Sequence, residues 1–171
     1  LKVGSAPEAV IARMVGRFFM VFNDSLRARA AAMCMTENEV VTLASIIECE
    51  TACDEERPFV SQVFHRRLKL GRPLEANPTI QYAIGCKRRV LDEDLEIDSP
   101  YNTYIHRGLP PGPVSNPGEK SLLAALYPAD TSYLYFVADG KGRHVFSHTL
   151  SEHISAVRLY KQERKKLSLR Q

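Results

Sequence analysis

Thr36 and Glu39 stand at the spacing of a capping box, and Val40, Leu43, Ala44 and Ile47 follow at the intervals of three and four that mark one helical face. A helix with a fixed start and a continuous apolar stripe must be covered by other elements, so this segment, running to about Ala52, predicts a packed helical core. The same spacing runs from Pro7 to about Met33 through Val10, Ile11, Met14, Val15, Phe18, Val21 and Phe22, with Pro7 suited to a first turn. Pro58 opens a further helical stretch with Phe59, Val60, Val63, Phe64 and Leu68, and Gly71 is placed to end it in a left-handed cap. Asn77 and Pro78 read as the N-cap and first turn of a short helix stopped by Gly85.

The period changes near the C-terminal third. Tyr133 to Ala138 reads as a strand, Asp139-Gly140 as a hairpin turn and Arg143 to Ser147 as the returning strand. Asn116 and Pro117 start a helix before it, with Leu122, Leu123 and Leu126 inward. A last helix from about Ser151 to Lys166 turns Ile154, Val157 and Tyr160 inward. Several helices packed with one small antiparallel hairpin make an α+β fold, and 171 residues suit a single domain over 1–171. At 44% hydrophobic and 25% charged residues, a disordered tail, a collagenous repeat and a coiled coil are excluded. Stretches free of charge reach only about ten positions, against the roughly 18 apolar residues of a membrane span. The start at Leu1, without an initiator Met or a secretory leader, is read as a piece of a longer protein.

Charge and cysteine content remove other classes. A net charge of +3, from 23 basic and 20 acidic residues, is too slight for a nucleic-acid footprint, and Lys87–Arg89 and Lys161–Lys166 read as solvated faces. Asp92, Glu93, Asp94, Glu96 and Asp98 lack the glycine and spacing of a calcium loop and read as a solvated short helix. Cys34, Cys49, Cys53 and Cys86 have no common metal spacing; Cys49 and Cys53 leave open a strained disulfide or free buried thiols. Neither a G-x-S-x-G elbow, a P-loop, a G-x-G-x-x-G fingerprint nor an H-E-x-x-H pair occurs, so neither cofactor nor metal is expected. The five scattered histidines read as structural or exposed.

Two carboxyls draw the chemistry to one helix. Glu48 borders the core stripe, where lost hydration favours a protonated acid; the same position also suits a structural hydrogen-bond partner. Glu50, two residues on, projects about 200° away, so the two do not address one substrate atom. A single acid suits chemistry in which the substrate supplies its own nucleophile. From Tyr101 to Gly118 the composition turns to Asn, Thr, Gly and Pro. Leu109-Pro110-Pro111-Gly112-Pro113 at its centre predicts a rigid loop able to position a ligand, or a polyproline segment that docks elsewhere. Tyr82, Tyr101 and Tyr104 are candidates for stacking on sugar faces, with core packing as the alternative.

The segment Ala44-Ser45-Ile46-Ile47-Glu48-Cys49-Glu50-Thr51 resembles the active-site helix of bacterial endolytic murein transglycosylases of the YceG-like family. Phe64 to Leu68, Asn77 to Tyr82, Ser99 to Tyr104, Gly108 to Pro113 and Asn116 to Gly118 are similar to the family's successive motifs in order. Ala138-Asp139-Gly140 with His144 and Phe146 extends the similarity to about residues 36–160. The resemblance implies cleavage of the β-1,4 bond between N-acetylmuramic acid and N-acetylglucosamine within peptidoglycan strands, leaving 1,6-anhydro ends and limiting strand length. It implies Glu48 as acid and then base, and Glu50 as a supporting hydrogen-bond group. Gln81, Tyr82, Tyr101, Asn102, Thr103, Tyr104, Pro111, Gly112 and Asn116 would be the substrate-binding residues. Its expected partners are glycan strands and cell-wall synthases, with no nucleic acid. Its expected place is the cell envelope, at the outer face of the cytoplasmic membrane, held by an anchor outside this chain. Asn77 stands where many members have Asp, and Cys49 and Cys53 are departures from the family pattern. A glycan-binding scaffold module without catalysis and a muramidase-type hydrolase are the alternative functions.

Overall fold

The computed structural model describes residues 4–168. Its elements are α1 (Pro7–Val21), α2 (Asp24–Ala32), α3 (Glu37–Glu50), α4 (Arg57–Lys69), α5 (Asn77–Ala83), α6 (Glu119–Leu126), the strands β1 (Tyr135–Ala138) and β2 (His144–Ser147), and α7 (Leu150–Ser168). Short 3-10 turns lie at Asp54–Glu56 and Asp92–Glu96. The fold is α+β, with the two strands antiparallel and Phe136 paired with Phe146, Ala138 with His144.

The capping box forms as the sequence predicts. The Glu39 amide donates to Thr36 Oγ1 at 3.2 Å, and the Thr36 amide donates to Glu39 Oε2 at 2.8 Å. From this start α3 runs through the middle of the molecule, and Thr42 to Ile47 are all buried. It packs chiefly on α6 and α4, whose Leu122, Ala125, Leu126, Val60 and Phe64 complete the core. The 109–115 loop is tied to the same helix: Val114 N donates to Ser45 Oγ and Ser115 Oγ donates to Ser45 O, each at 2.9 Å. The hairpin closes the opposite side, with the Phe136 ring edge-on to Phe64 at 5.8 Å. Gly71, at φ +61°, ends the turn after α4 in the predicted left-handed conformation.

Several local expectations are corrected. The helical stretch from Pro7 to Met33 is broken at Asn23, whose side chain accepts from Leu26 N at 3.2 Å and so caps a new helix. Within α1, Ile11, Met14 and Val15 stay exposed and only Phe22 beyond its end is fully buried. Asn77 does not cap α5; Ala76 holds that position, and the Asn77 carboxamide is engaged elsewhere. Helix α6 begins at Glu119, three residues after Asn116, because Pro117 and Gly118 form the approach to it. Leu123 and Ile154 are exposed; Ala125 is buried instead on α6, while Val157 and Tyr160 are half-buried on the expected face of α7. The hairpin loop spans residues 139–143, with Gly140 and Gly142 both at positive φ. Asp94 is buried, since Arg88 donates to both its oxygens at 2.6 Å and Leu91 N donates at 2.7 Å. No disulfide joins Cys49 and Cys53; Cys34, Cys49 and Cys86 are exposed rather than buried thiols. No single described helix is long and apolar enough to cross a membrane.

Phe64 is 1% exposed and joins α4 to both core and hairpin. Phe64→Ala is expected to lower stability by about 3–5 kcal/mol, read from the midpoint shift of urea unfolding at constant slope.

Candidate functional site

Glu48 and Glu50 leave the last turn of α3 toward different environments. The Glu48 carboxylate turns to the start of α6, where Oε2 accepts from Ser121 Oγ at 2.7 Å, from Gly118 N at 3.1 Å and from Arg57 Nη1 at 3.4 Å. Arg57 is itself buried and donates to Ser121 Oγ at 2.6 Å and to Asp54 Oδ1 at 2.9 Å. Lys120 also pairs with Asp54, and these cations hold the Asp54 carboxyl below its ordinary range, Lys120 contributing most. Glu48 thus accepts from the N-cap amide and a first-turn hydroxyl of a helix it does not belong to. It opens onto a more open depression of about 540 Å³ beside Asp54, Lys120 and Leu123.

Glu50 turns the other way, into a cleft of about 440 Å³ whose walls include Arg67, Asn77, Tyr104, His144 and Tyr160. Six parts of the chain converge there: the end of α3, the inner face of α4, the turn into α5, the loop that carries Tyr104, the hairpin and α7. Burial pushes the Glu50 carboxyl up to about 7, against the opposing pull of the Asn77 amide and the Arg67 charge. Tyr104 beside it donates to Asn77 Oδ1 at 2.7 Å, and burial, then the Glu50 and Glu75 charges, push its hydroxyl up to about 12. Arg67, 7% exposed, is the cleft's fixed cation. It donates to Leu74 O and Glu75 Oε2 at 2.8 Å and to Leu134 O at 3.0 Å, so one side chain pins the 74–75 turn to the strand entry. A carboxyl that changes charge near neutral pH, in a cleft lined by fixed hydroxyl, amide and guanidinium groups, can give and take a proton. Among the described residues no three His, Cys, Asp or Glu come together to hold a metal ion.

The other residues singled out in the sequence divide between cleft and scaffold. Only Tyr104 shares the wall with Glu50. Asn102 is fully buried and donates to Leu95 O and Ile97 O at 2.9 Å, while its Oδ1 accepts from Tyr104 N at 2.9 Å. Thr103 is buried, with Oγ1 accepting from Ala76 N at 3.1 Å and donating at 2.9 Å to Thr79 Oγ1, whose own hydrogen goes to Ala76 O. Both spend their polar atoms on holding Tyr104 and the α5 entry. Gln81 donates to Arg88 O at 2.7 Å. The exposed Tyr82 and half-buried Tyr101 form a ring pair with centroids 4.6 Å apart, and a Cβ at Gly112 would come within 3.3 Å of the Tyr101 hydroxyl. The Pro111 carbonyl accepts from Asn38 at 3.5 Å. Asn116 lies on the Glu48 side, in a groove between α1 and the start of α6. Arg67 and His144 fall in motif segments of the sequence but were given no site role there. Arg67 falls seven residues after Val60, on the core stripe of α4, and His144 alternates with Phe146 on the inner face of β2; a polar residue at an inward position was the signal in each case.

The fold has a counterpart in a crystal structure of a yceG-like protein from Listeria monocytogenes. The match has a TM-score of 0.81 and 38% identity, and covers 91% of this chain and 50% of that one. The chain is 49% identical over 124 residues to an endolytic murein transglycosylase of Bacillus subtilis, covering 72% of this chain and 34% of the relative. It is 37% identical over 126 residues to one from Streptococcus pneumoniae, covering 70% and 23%. The model of the YceG-like family matches residues 1–159, and the chain belongs to that family. It spans half or less of the length of these relatives.

The two carboxyls predict opposite behaviour. Glu48→Ala leaves Ser121 and Gly118 without their acceptor and is expected to cost about 2 kcal/mol in urea unfolding at pH 7. An unfolded glutamate ionises near 4.5, so between 4.5 and about 7 the folded protein keeps a Glu50 proton that the unfolded chain releases, and stability falls as pH rises through that window. Glu50→Gln removes this loss. Its melting temperature, relative to wild type, is expected to rise between about pH 4.5 and 7 and to level off above.

Proposed function

We propose that this chain is the catalytic part of a lytic transglycosylase acting on peptidoglycan, with Glu50 as its acid and base. The single observation that carries the residue assignment is the position of the half-buried Glu50 carboxyl inside the cleft, where lost hydration pushes it up to about 7. Membership of the YceG-like family, and relatives named endolytic murein transglycosylase, support the substrate class. Glu48, which the sequence resemblance offers for this role, is better suited to its place as acceptor for the start of α6.

In the proposed reaction a glycan strand lies in the cleft with its scissile glycosidic oxygen within about 3 Å of Glu50. The protonated carboxyl gives its proton to that oxygen as the bond to muramyl C1 breaks. The carboxylate so formed takes the proton of the muramyl 6-hydroxyl, whose oxygen closes on C1. One sugar end leaves with a free hydroxyl and the other as the 1,6-anhydro ring; no water is consumed. Tyr104 and Asn77, bonded to each other beside Glu50, orient the sugar, and Tyr82 with Tyr101 offers ring faces farther along α5. In the whole protein, cutting inside strands at the outer face of the cytoplasmic membrane would limit strand length beside the synthases.

A hydrolase is the second reading, favoured by one observation: Glu75 is a second carboxyl on the same cleft, paired with Arg67 at 2.8 Å. Mass spectrometry of purified uncrosslinked strands separates the two. Wild type is expected to yield anhydro-muramyl ends and Glu50→Gln none, with Glu48→Gln still cutting. Hydrated ends would move the assignment to a hydrolase, and full cutting by Glu50→Gln would overturn the role of Glu50. Because the reaction starts from protonated Glu50, the rate is expected to fall about tenfold per unit as pH rises above 7.

A further inference from the structure

The proposed reaction leaves without a role one residue of the cleft wall, His144, and the carboxylate that holds it from behind. Glu56, in the 3-10 turn before α4, is 7% exposed. Both its oxygens go to His144 across the fold: Oε1 accepts from the His144 amide at 3.2 Å and Oε2 faces Nδ1 at 2.8 Å. The imidazole is held on its other flanks by the Phe136 ring, edge-on at 5.3 Å, and by Phe146 at 6.3 Å. His144 lines the same cleft as Glu50.

A carboxylate only accepts, so the ring nitrogen facing Glu56 carries a hydrogen. In the neutral ring Nε2, on the far side of the imidazole from Glu56, is then a bare acceptor with a fixed direction. A strand whose sole task is to be pinned needs only the amide bond to Oε1; the second bond selects a tautomer. Sugar hydroxyls and acetamido N–H groups are the donors that a glycan presents to such an acceptor. Resting on the reading of this cleft as a glycan site, we infer that Glu56 fixes His144 as a hydrogen-bond acceptor that positions an amino sugar, through a hydroxyl or an acetamido N–H, beside Glu50. His144 is thus a binding residue and Glu56 a positioning residue that acts through it.

Glu56→Gln tests the tautomer directly. The His144 backbone N–H cannot reverse, so the new amide must turn its oxygen toward it and its NH₂ toward Nδ1, which moves the ring hydrogen to Nε2 and converts the acceptor into a donor. The measurement is a long-range proton–nitrogen NMR spectrum of the His144 ring in the non-cutting Glu50→Gln protein, titrated with uncrosslinked glycan strands. The expected result is hydrogen on Nδ1, a shift of the Nε2 resonance on saturation, and about tenfold weaker binding when Glu56→Gln is added. Should that variant fail to fold, His144→Leu is expected to weaken binding by a similar factor, while His144→Gln, which keeps an acceptor near the Nε2 position, restores most of it. Glycan that shifts Tyr104 but leaves Nε2 and the affinities unmoved would overturn this inference alone. Glycan that shifts neither Tyr104 nor His144 would overturn the glycan reading of the cleft, and this one with it.

Discussion

Helix α3 is buried on every side from Thr42 to Ile47, and the rest of the molecule is arranged around that fact. A helix so enclosed has no freedom to rotate, so the directions in which its last turn sends Glu48 and Glu50 are set by the packing of α4 and α6. One carboxylate is committed to α6 and becomes part of the scaffold. The other is left at the junction of α4, the α5 entry and the hairpin, where lost hydration rather than charge pairing governs it. The cost of that burial falls on the stability of the folded state at neutral pH, and is the kind of strain a site retains when a proton has to be available there.

The cleft is assembled from groups that hold one another before any ligand arrives. Arg67 fixes the 74–75 turn, Thr103 fixes the α5 entry, Asn102 fixes Tyr104, and Tyr104 fixes Asn77. Asn102 and Thr103 therefore matter to the site without facing it. This arrangement places the polar groups of the wall at defined positions, which is what orientation of a sugar by a few hydrogen bonds demands.

What the sequence made legible was local. The capping box, the left-handed Gly71 and the strand signals around Asp139-Gly140 each depend on a few neighbouring residues, and each appears where those residues put it, with the hairpin loop longer than the dipeptide alone implies. The break at Asn23 was equally local, an Asn-Asp pair able to cap, hidden under an apolar spacing that ran through it. The site was less legible because its decisive partners are distant. A helical projection sends Glu48 and Glu50 about 200° apart without showing what either meets, and Ser121, 73 residues from Glu48, shows where one of them is spent. His144 finds its carboxylate 88 residues away. Motif position marked Asn102 and Thr103 as polar and important, but burial, which decides whether a polar atom meets a ligand, is a property of the assembled fold.

The central claim is that a glycan strand is addressed by Glu50 and not by Glu48. A crystal structure of the Glu50→Gln protein holding an uncut strand tests it most directly. The account predicts a glycosidic oxygen within about 3 Å of the residue 50 side chain, with Glu48 still bonded to Ser121 on the far side of α3. A strand lying instead in the depression beside Glu48, with its scissile oxygen against that carboxylate, would contradict it.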